Sequence, residues 1–217
     1  MRIKEIYPNI YMVTAINQFY LNHSFQRIQE FYESSSSKFK NKLFKKEVFN
    51  KWFTKKYKKD YYNFWEGFNI YRETIDSFNK IYKKEKLDDY EESLFSLLKT
   101  IPKKSRYCVI GVLEKDSGTV QHELIHGVFY LNDKYRQEVR DYFCSPFCDK
   151  LNGLRKKLSD IGYGEEVMID ELNAYVLVEK EILIIWKLWN KDIEMIQKDL
   201  RYLLNKVDPF ILKNHYI

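Results

Sequence analysis

The chain has 217 residues, is 45% hydrophobic and carries a formal charge of +6. This length and composition can bury a core, and we expect one domain over 1–217, mainly helical over 1–100. The longest candidate for a membrane span, over 181–189, is interrupted by charge and shorter than the roughly eighteen residues that a span needs, so no span is expected. Three cysteines argue against a disulfide framework, and the start of the chain has no signal-peptide pattern, so we expect a cytoplasmic protein.

The first hundred residues predict a series of helices. Ser24 is a suitable N-cap for a helix that ends near Glu33. Within it, Arg27 and Glu30 are spaced as a structural ion pair, which we favour over a contact with substrate. Further helices are predicted at about 72–83 and 88–101.

A basic segment lies between these helices. Residues 38–59 contain ten lysines and one acidic residue, and aromatic side chains recur among them near helical spacing. A basic amphipathic helix over 38–59 can bind nucleic acid or other anionic partners. More often such a helix is a solvated face whose aromatic side chains lie in the core. We adopt that interpretation, and nucleic acid is not expected as a partner.

The remainder of the chain, 101–217, combines one clear strand with several helices. The short, β-branched run over 106–113 predicts a strand, and a turn leads from it into a helix over about 119–131. Later helices are predicted at about 133–143, 147–159, 165–180 and 192–207. With weaker strands near the N-terminus, the predicted fold class is α+β, mostly α.

The helix over 119–131 carries an HExxH motif. Two of the four histidines in the chain, His122 and His126, are four residues apart, so on a helix they share one face and can bind one metal ion. Zinc is the ion that two imidazoles and a carboxylate most readily suggest. Glu123 lies beside them and is placed to take a proton from water activated by the metal. The part of the chain over 101–217 is therefore predicted to hold the metal site, with Zn²⁺ as its cofactor.

A catalytic zinc site usually has three protein ligands and one open position. Glu171 shares a helical face with apolar neighbours, which predicts that it points inward as the third ligand. Glu166 is the alternative, but its helical face is more polar. We prefer Glu171, and either Asp170 or Asn173 is then expected to hold a histidine in the ligating tautomer.

Together these residues resemble the gluzincin-type zinc metallopeptidases, in which a strand precedes HExxH and a glutamate follows it on a later helix. The resemblance implies a zincin-like fold with a small β-sheet, an active-site helix that carries HExxH and a second helix that carries the third ligand. It also implies that His122, His126 and Glu171 bind zinc and that Glu123 is the general base and acid. The strand over 106–113 would be an edge strand that pairs with an extended peptide substrate.

The expected reaction is hydrolysis of a peptide bond in a peptide or protein substrate, with Tyr175 or Tyr163 donating a hydrogen bond to the oxyanion. The alternative is a catalytically inactive, zincin-like binding protein that contacts anionic partners through 38–59. Phe129 and Asn132 occupy the places where metzincins need a glycine and a histidine, which excludes that branch. The sequence does not indicate the cleavage specificity or the oligomeric state.

Overall fold

The computed structural model describes residues 1–102, 106–114, 116–144 and 146–213, with the backbone alone at 117 and 146–148. Over these residues the chain is mostly helical α+β, as predicted, with one four-stranded mixed sheet. It divides into two compact units, one over residues 1–120 and the other over the described residues from 121 onward. The expectation of a single domain stays a prediction.

The described part of the first unit contains the four strands and the first four helices. In chain order these elements are β1 (Arg2–Tyr7), β2 (Ile10–Ala15), α1 (Gln18–Glu33), α2 (Lys46–Tyr57), β3 (Phe68–Tyr71), α3 (Arg72–Ile81), α4 (Asp89–Leu98) and β4 (Cys108–Leu113). A single 3-10 turn at Tyr61–Asn63 precedes β3.

The strands form a sheet in the order β1-β2-β4-β3, in which β2 and β4 are parallel and the two outer pairings are antiparallel. β4 is therefore a central strand, and the prediction that it forms an edge open to a peptide is wrong. Its composition explains its position, because an almost continuously apolar strand is typical of one buried on both faces. The outer strand β1 has no fully buried residue, which suits an edge.

Helix α1 packs on the sheet at a glycine. A Cβ atom placed on Gly111 of β4 would lie 2.5 Å from the ring of Phe25, so only a residue without a side chain lets α1 approach this closely. The helix begins at Gln18, well before the predicted start at Ser24. The reason is a cap that the prediction missed, because the Asn17 side chain accepts a backbone N–H of the first turn.

A buried ion-pair network joins α1, α2 and α4. Arg27 donates from Nε to Oε1 of Glu91 at 2.6 Å, and Glu91 is only 1% exposed. Lys46 lies 3.3 Å from the same carboxylate and 2.6 Å from Asp88, which caps α4. The predicted pairing of Arg27 with Glu30 is wrong. The α4 capping box holds Glu91 opposite the Arg27 guanidinium, which donates hydrogen bonds to both carboxylate oxygens. Such a bidentate pair is stronger than the single contact that Glu30, on the same helix as Arg27, would offer.

The basic segment 38–59 is helical over only part of its length. α2 covers Lys46–Tyr57, whereas the preceding residues form turns in which Asn41 adopts a left-handed conformation. Leu43 and Val48 are exposed. The buried aromatic residues of the segment are Phe39, Phe44, Phe49 and Phe53. The predicted length of the helix is therefore wrong, while the interpretation of a lysine face over core aromatics is confirmed for these four side chains.

All regular secondary structure in the described part of the second unit is helical. α5 (Ser117–Leu131) begins in the first unit and continues into the second. The later helices are α6 (Asp133–Phe143), α7 (Asn152–Ile161), α8 (Met168–Val178), α9 (Lys180–Ile185) and α10 (Lys191–Asn205), with a 3-10 segment at Pro146–Leu151. No helix among the described residues is both long and apolar enough to cross a membrane.

Glu30 on α1 makes the stability of the first unit depend on pH. Its side chain is buried, and burial raises the pKa of its carboxyl group from 4.5 to about 7, partly offset by the nearby hydroxyl groups of Tyr61 and Ser34. The folded state therefore binds this proton more tightly than the unfolded state does. The resulting stabilisation is fully present below about pH 4.5 and is lost as the pH rises through about 7.

We expect the free energy of unfolding of wild type to fall between pH 5 and pH 8 by about 2 kcal/mol more than that of Glu30→Gln, because glutamine does not ionise. Urea titrations at the two pH values measure the difference. Glu73→Gln, at an exposed position on α3, is the control and should follow wild type. The same pH dependence in Glu30→Gln and wild type would contradict the assignment.

Candidate metal centre

The HExxH motif lies in the second unit, on the part of α5 that begins at Gln121. Helical spacing places the two imidazole rings on one face, with their centroids 4.9 Å apart. His122 and His126 are buried, at 8% and 2% exposure, and Glu123 is buried as well. The prediction that one helix carries both histidines is confirmed.

Glu171 on α8 joins the two histidines. It is 4% exposed, and its carboxylate oxygens lie 3.8 Å from Nε2 of His122 and 3.6 Å from Nε2 of His126. One ligand atom from each of the three residues lies within 4.8 Å of the other two, so the group could hold a metal ion. Glu166, the alternative third ligand, is exposed in the turn before α8.

Each histidine has its Nδ1 atom against a carboxylate. Nδ1 of His122 and Oε1 of Glu179 are 3.0 Å apart in a hydrogen bond, and Nδ1 of His126 lies 2.9 Å from Oδ1 of Asp170. An ionised carboxylate accepts but does not donate, so in a neutral ring the hydrogen belongs on Nδ1. Nε2 of His122 then keeps a lone pair, which is the tautomer that metal ligation requires. Nδ1 of His126 makes no hydrogen bond among the described residues, so Asp170 favours the same arrangement there by its charge alone.

The two Nε2 atoms face each other across 3.1 Å. Around a tetrahedral zinc ion with bonds of about 2.0–2.1 Å, neighbouring ligand atoms are about 3.4 Å apart. The separations of 3.1, 3.6 and 3.8 Å among the nitrogens and the Glu171 oxygens bracket that value. Oε2 of Glu171 is also buried without a hydrogen-bond partner among the described residues. The distances and the donor set of two imidazoles and a carboxylate therefore fit zinc.

The surrounding carboxylates favour positive charge on both rings. Burial opposes protonation of His122, but its contacts with Glu171 and Glu179 outweigh burial and raise its pKa to about 9. Burial opposes protonation of His126 too, and there Asp170 and Glu171 raise the pKa well above its ordinary value. The site therefore attracts a cation to the Nε2 atoms, either as protons or as a metal ion.

Glu179 is a site residue that the sequence prediction missed. It is the C-cap of α8, four residues after Tyr175 and eight after Glu171. That spacing keeps the three residues near one side of the helix and is the signal by which Glu179 could be found. The two residues predicted to orient a histidine differ in their contacts. Asp170 contacts His126, whereas Asn173 accepts a hydrogen bond from the Tyr135 hydroxyl group at 3.0 Å.

Two tyrosines lie beside the histidines. The ring of Tyr175 packs edge-on against His122, with centroids 5.0 Å apart, and the ring of Tyr163 lies 6.4 Å from that of Tyr175. Burial and the charge of Glu171 raise the pKa of both phenols. Each phenol therefore stays neutral and remains able to donate a hydrogen bond.

No protein-family model, curated protein or solved structure matches this chain. The structure establishes a buried His–His–Glu group, with both histidines on α5 and the glutamate on α8, in a mostly helical α+β chain. This group could hold a metal ion, and a carboxylate lies against the Nδ1 atom of each ring.

We expect Glu179→Ala to weaken zinc affinity about 10- to 100-fold, because the His122 ring loses the acceptor that fixes its orientation and tautomer. Competition titration against a chromogenic chelator measures the affinity. Glu181→Ala is the matched control, since Glu181 is exposed two residues further along the chain. Equal zinc affinity in the two variants would show that Glu179 does not contribute to metal binding.

Proposed function

We propose that the chain is a zinc-dependent metallopeptidase, a gluzincin-like hydrolase in which His122, His126 and Glu171 hold the ion. The observation that carries the proposal is the arrangement of these three side chains. The two Nε2 atoms, 3.1 Å apart, face a buried carboxylate while both Nδ1 atoms contact other carboxylates. Three protein ligands leave one position of a tetrahedral ion open, as in catalytic rather than structural zinc sites.

Glu123 is the proposed general base and acid. A bound zinc ion supplies a Lewis acid, which polarises a carbonyl group and makes water acidic enough to react near neutral pH. Glu123 accepts the proton of the attacking water and then donates it to the nitrogen of the leaving amine. It is adjacent to His122 on α5 and is buried with it. A site that only stabilised the fold would have no need for a carboxylate in this place.

Tyr175 is the proposed donor to the oxyanion that forms when the carbonyl carbon is attacked. Its ring contacts the His122 ring directly, whereas the ring of Tyr163 packs against that of Tyr175. A neutral phenol can donate to a developing negative charge without a change in its own charge.

The peptide bond is the proposed substrate because the resemblance to gluzincins rests on the same four residue types in the same roles. A catalytically inactive, zincin-like binding protein would carry the metal without turnover. Removal of the Glu123 carboxylate should therefore slow peptide cleavage if the chain is a peptidase, and should change no reaction rate if it is a binding protein.

We expect Glu171→Ala to lower zinc affinity by more than about 100-fold, because loss of a direct ligand costs more than loss of a residue that orients one. Glu166→Ala should keep the wild-type affinity, since Glu166 is exposed outside the group. Elemental analysis and chelator competition on both variants measure the outcome. Loss of zinc from Glu166→Ala alone would reverse the choice of third ligand.

We expect Glu123→Gln to retain zinc and to cleave a peptide library about 10²- to 10⁴-fold more slowly, because glutamine cannot transfer the proton. Mass spectrometry of the digested library gives the rate, and elemental analysis gives the zinc content. Glu166→Ala should cleave at the wild-type rate. No cleavage by fully zinc-loaded wild type, or equal cleavage by Glu123→Gln, would assign the site to a binding protein instead.

A further inference from the structure

Helix α9 presents two adjacent isoleucine side chains to solvent. Ile184 is 51% exposed and Ile185 75% exposed, although both belong to the apolar run over 182–186. Leu183 next to them is fully buried and anchors the helix in the second unit. Single exposed apolar residues are common on protein surfaces, but a continuous apolar group marks a contact site. We refer to residues 184–189 as the α9 tip.

Two tryptophans and several lysines lie close to the two isoleucines in the sequence or pack on those tryptophans. Trp186 and Trp189 are partly exposed, and the ammonium groups of Lys157 and Lys180 lie 5.3 Å and 5.0 Å from their respective ring centres. Lys187 is exposed and lies between the two tryptophans in the sequence. Tryptophan and lysine around exposed aliphatic side chains are typical of the membrane–water interface. There the rings occupy the headgroup level and the ammonium groups face lipid phosphates.

Backbone N–H groups at the end of α9 donate to carbonyl groups of the preceding turn. The N–H of Lys187 donates to the carbonyl of Ile184 at 2.9 Å, and the N–H of Leu188 donates to the carbonyl of Leu183 at 2.8 Å. Lys187 has φ 58°, so this turn is a Schellman motif with lysine at its left-handed position. A segment that leaves water needs such internal bonds, because unpaired backbone groups are costly in an apolar medium.

We propose that the α9 tip docks on the surface of a lipid bilayer that contains anionic lipids, with Ile184 and Ile185 inserted at the boundary of headgroups and acyl chains. Residues 180–191 contain three lysines and one acidic residue, which complements anionic headgroups. A second copy of the chain is a poorer occupant, because two tips in contact would bring their lysines together. The helix lies on the membrane and does not span it.

Packed rings connect the α9 tip to the candidate metal centre within the second unit. Trp186 stacks on Tyr175 with ring centres 5.6 Å apart, and Tyr175 contacts His122. Docking would therefore bring the metal centre to the membrane surface, where the substrate would be a membrane-associated peptide. This statement about the substrate rests on the proposed function, whereas docking itself does not.

Flotation of the full, zinc-loaded chain with lipid vesicles tests the proposal. We expect wild type to bind vesicles of phosphatidylcholine mixed with phosphatidylglycerol more tightly than vesicles of phosphatidylcholine alone. The double variant Ile184→Glu/Ile185→Glu should bind the mixed vesicles at least about tenfold more weakly, because it removes the inserted apolar surface and adds repulsion. Phe210→Glu is the matched control and should bind as wild type does, since Phe210 is 60% exposed elsewhere in the same unit.

Zinc content, melting temperature and cleavage of a soluble peptide should be unchanged in the double variant, because the exposed isoleucines do not contact the metal centre. If wild type binds vesicles but cleaves no peptide, the docking proposal stands and the proposed peptidase function is wrong. Absence of vesicle binding by folded wild type, or equal binding by the double variant, would overturn docking. If wild type is a dimer without lipid and the double variant is a monomer, the α9 tip is an interface between copies of the chain instead.

Discussion

Two imidazole nitrogens that face each other in a buried site are the constraint on which the candidate centre depends. The Nδ1 atoms of His122 and His126 contact Glu179 and Asp170, and their Nε2 atoms lie 3.1 Å apart, close enough for one N–H to donate to the other nitrogen or for both to bind one ion. The carboxylates around the two rings favour positive charge there, which protons or a metal ion can supply. A divalent ion supplies the same charge at one point and takes both lone pairs. The case for a metal ion therefore rests on electrostatics as well as on the HExxH motif.

The junction of α8 and α9 connects the features of the second unit. Glu171 on α8 faces both histidines, and Glu179, where α8 ends, shares a hydrogen bond with Nδ1 of His122. After α9, Trp186 returns to stack on Tyr175 beside the same histidine. One short stretch of chain thus provides a proposed ligand, an orienting carboxylate and the aromatic support of an exposed apolar tip.

Predictions from the sequence succeeded where neighbours along the chain decide the outcome. Helical spacing places His122 and His126 on one face, and the apolar neighbours of Glu171 turn it inward. Predictions failed where the partner is distant in sequence. Arg27 pairs with Glu91, 64 residues away, rather than with Glu30 on its own helix. The strand at 108–113 is central because β2 and β3 pair with it on both sides, which its own residues could only suggest.

By itself, the sequence determined the helix that carries the two histidines, the residue types of the candidate centre and the inward direction of Glu171, because these follow from the helical period and from hydrophobic patterning. Only the tertiary structure decided the strand order, the pairing of Glu179 with His122 and the exposure of Ile184 and Ile185. The physical reason is that burial of apolar surface is optimised over a whole unit. Which side chains meet, and which remain in water, depends on elements far apart in the chain.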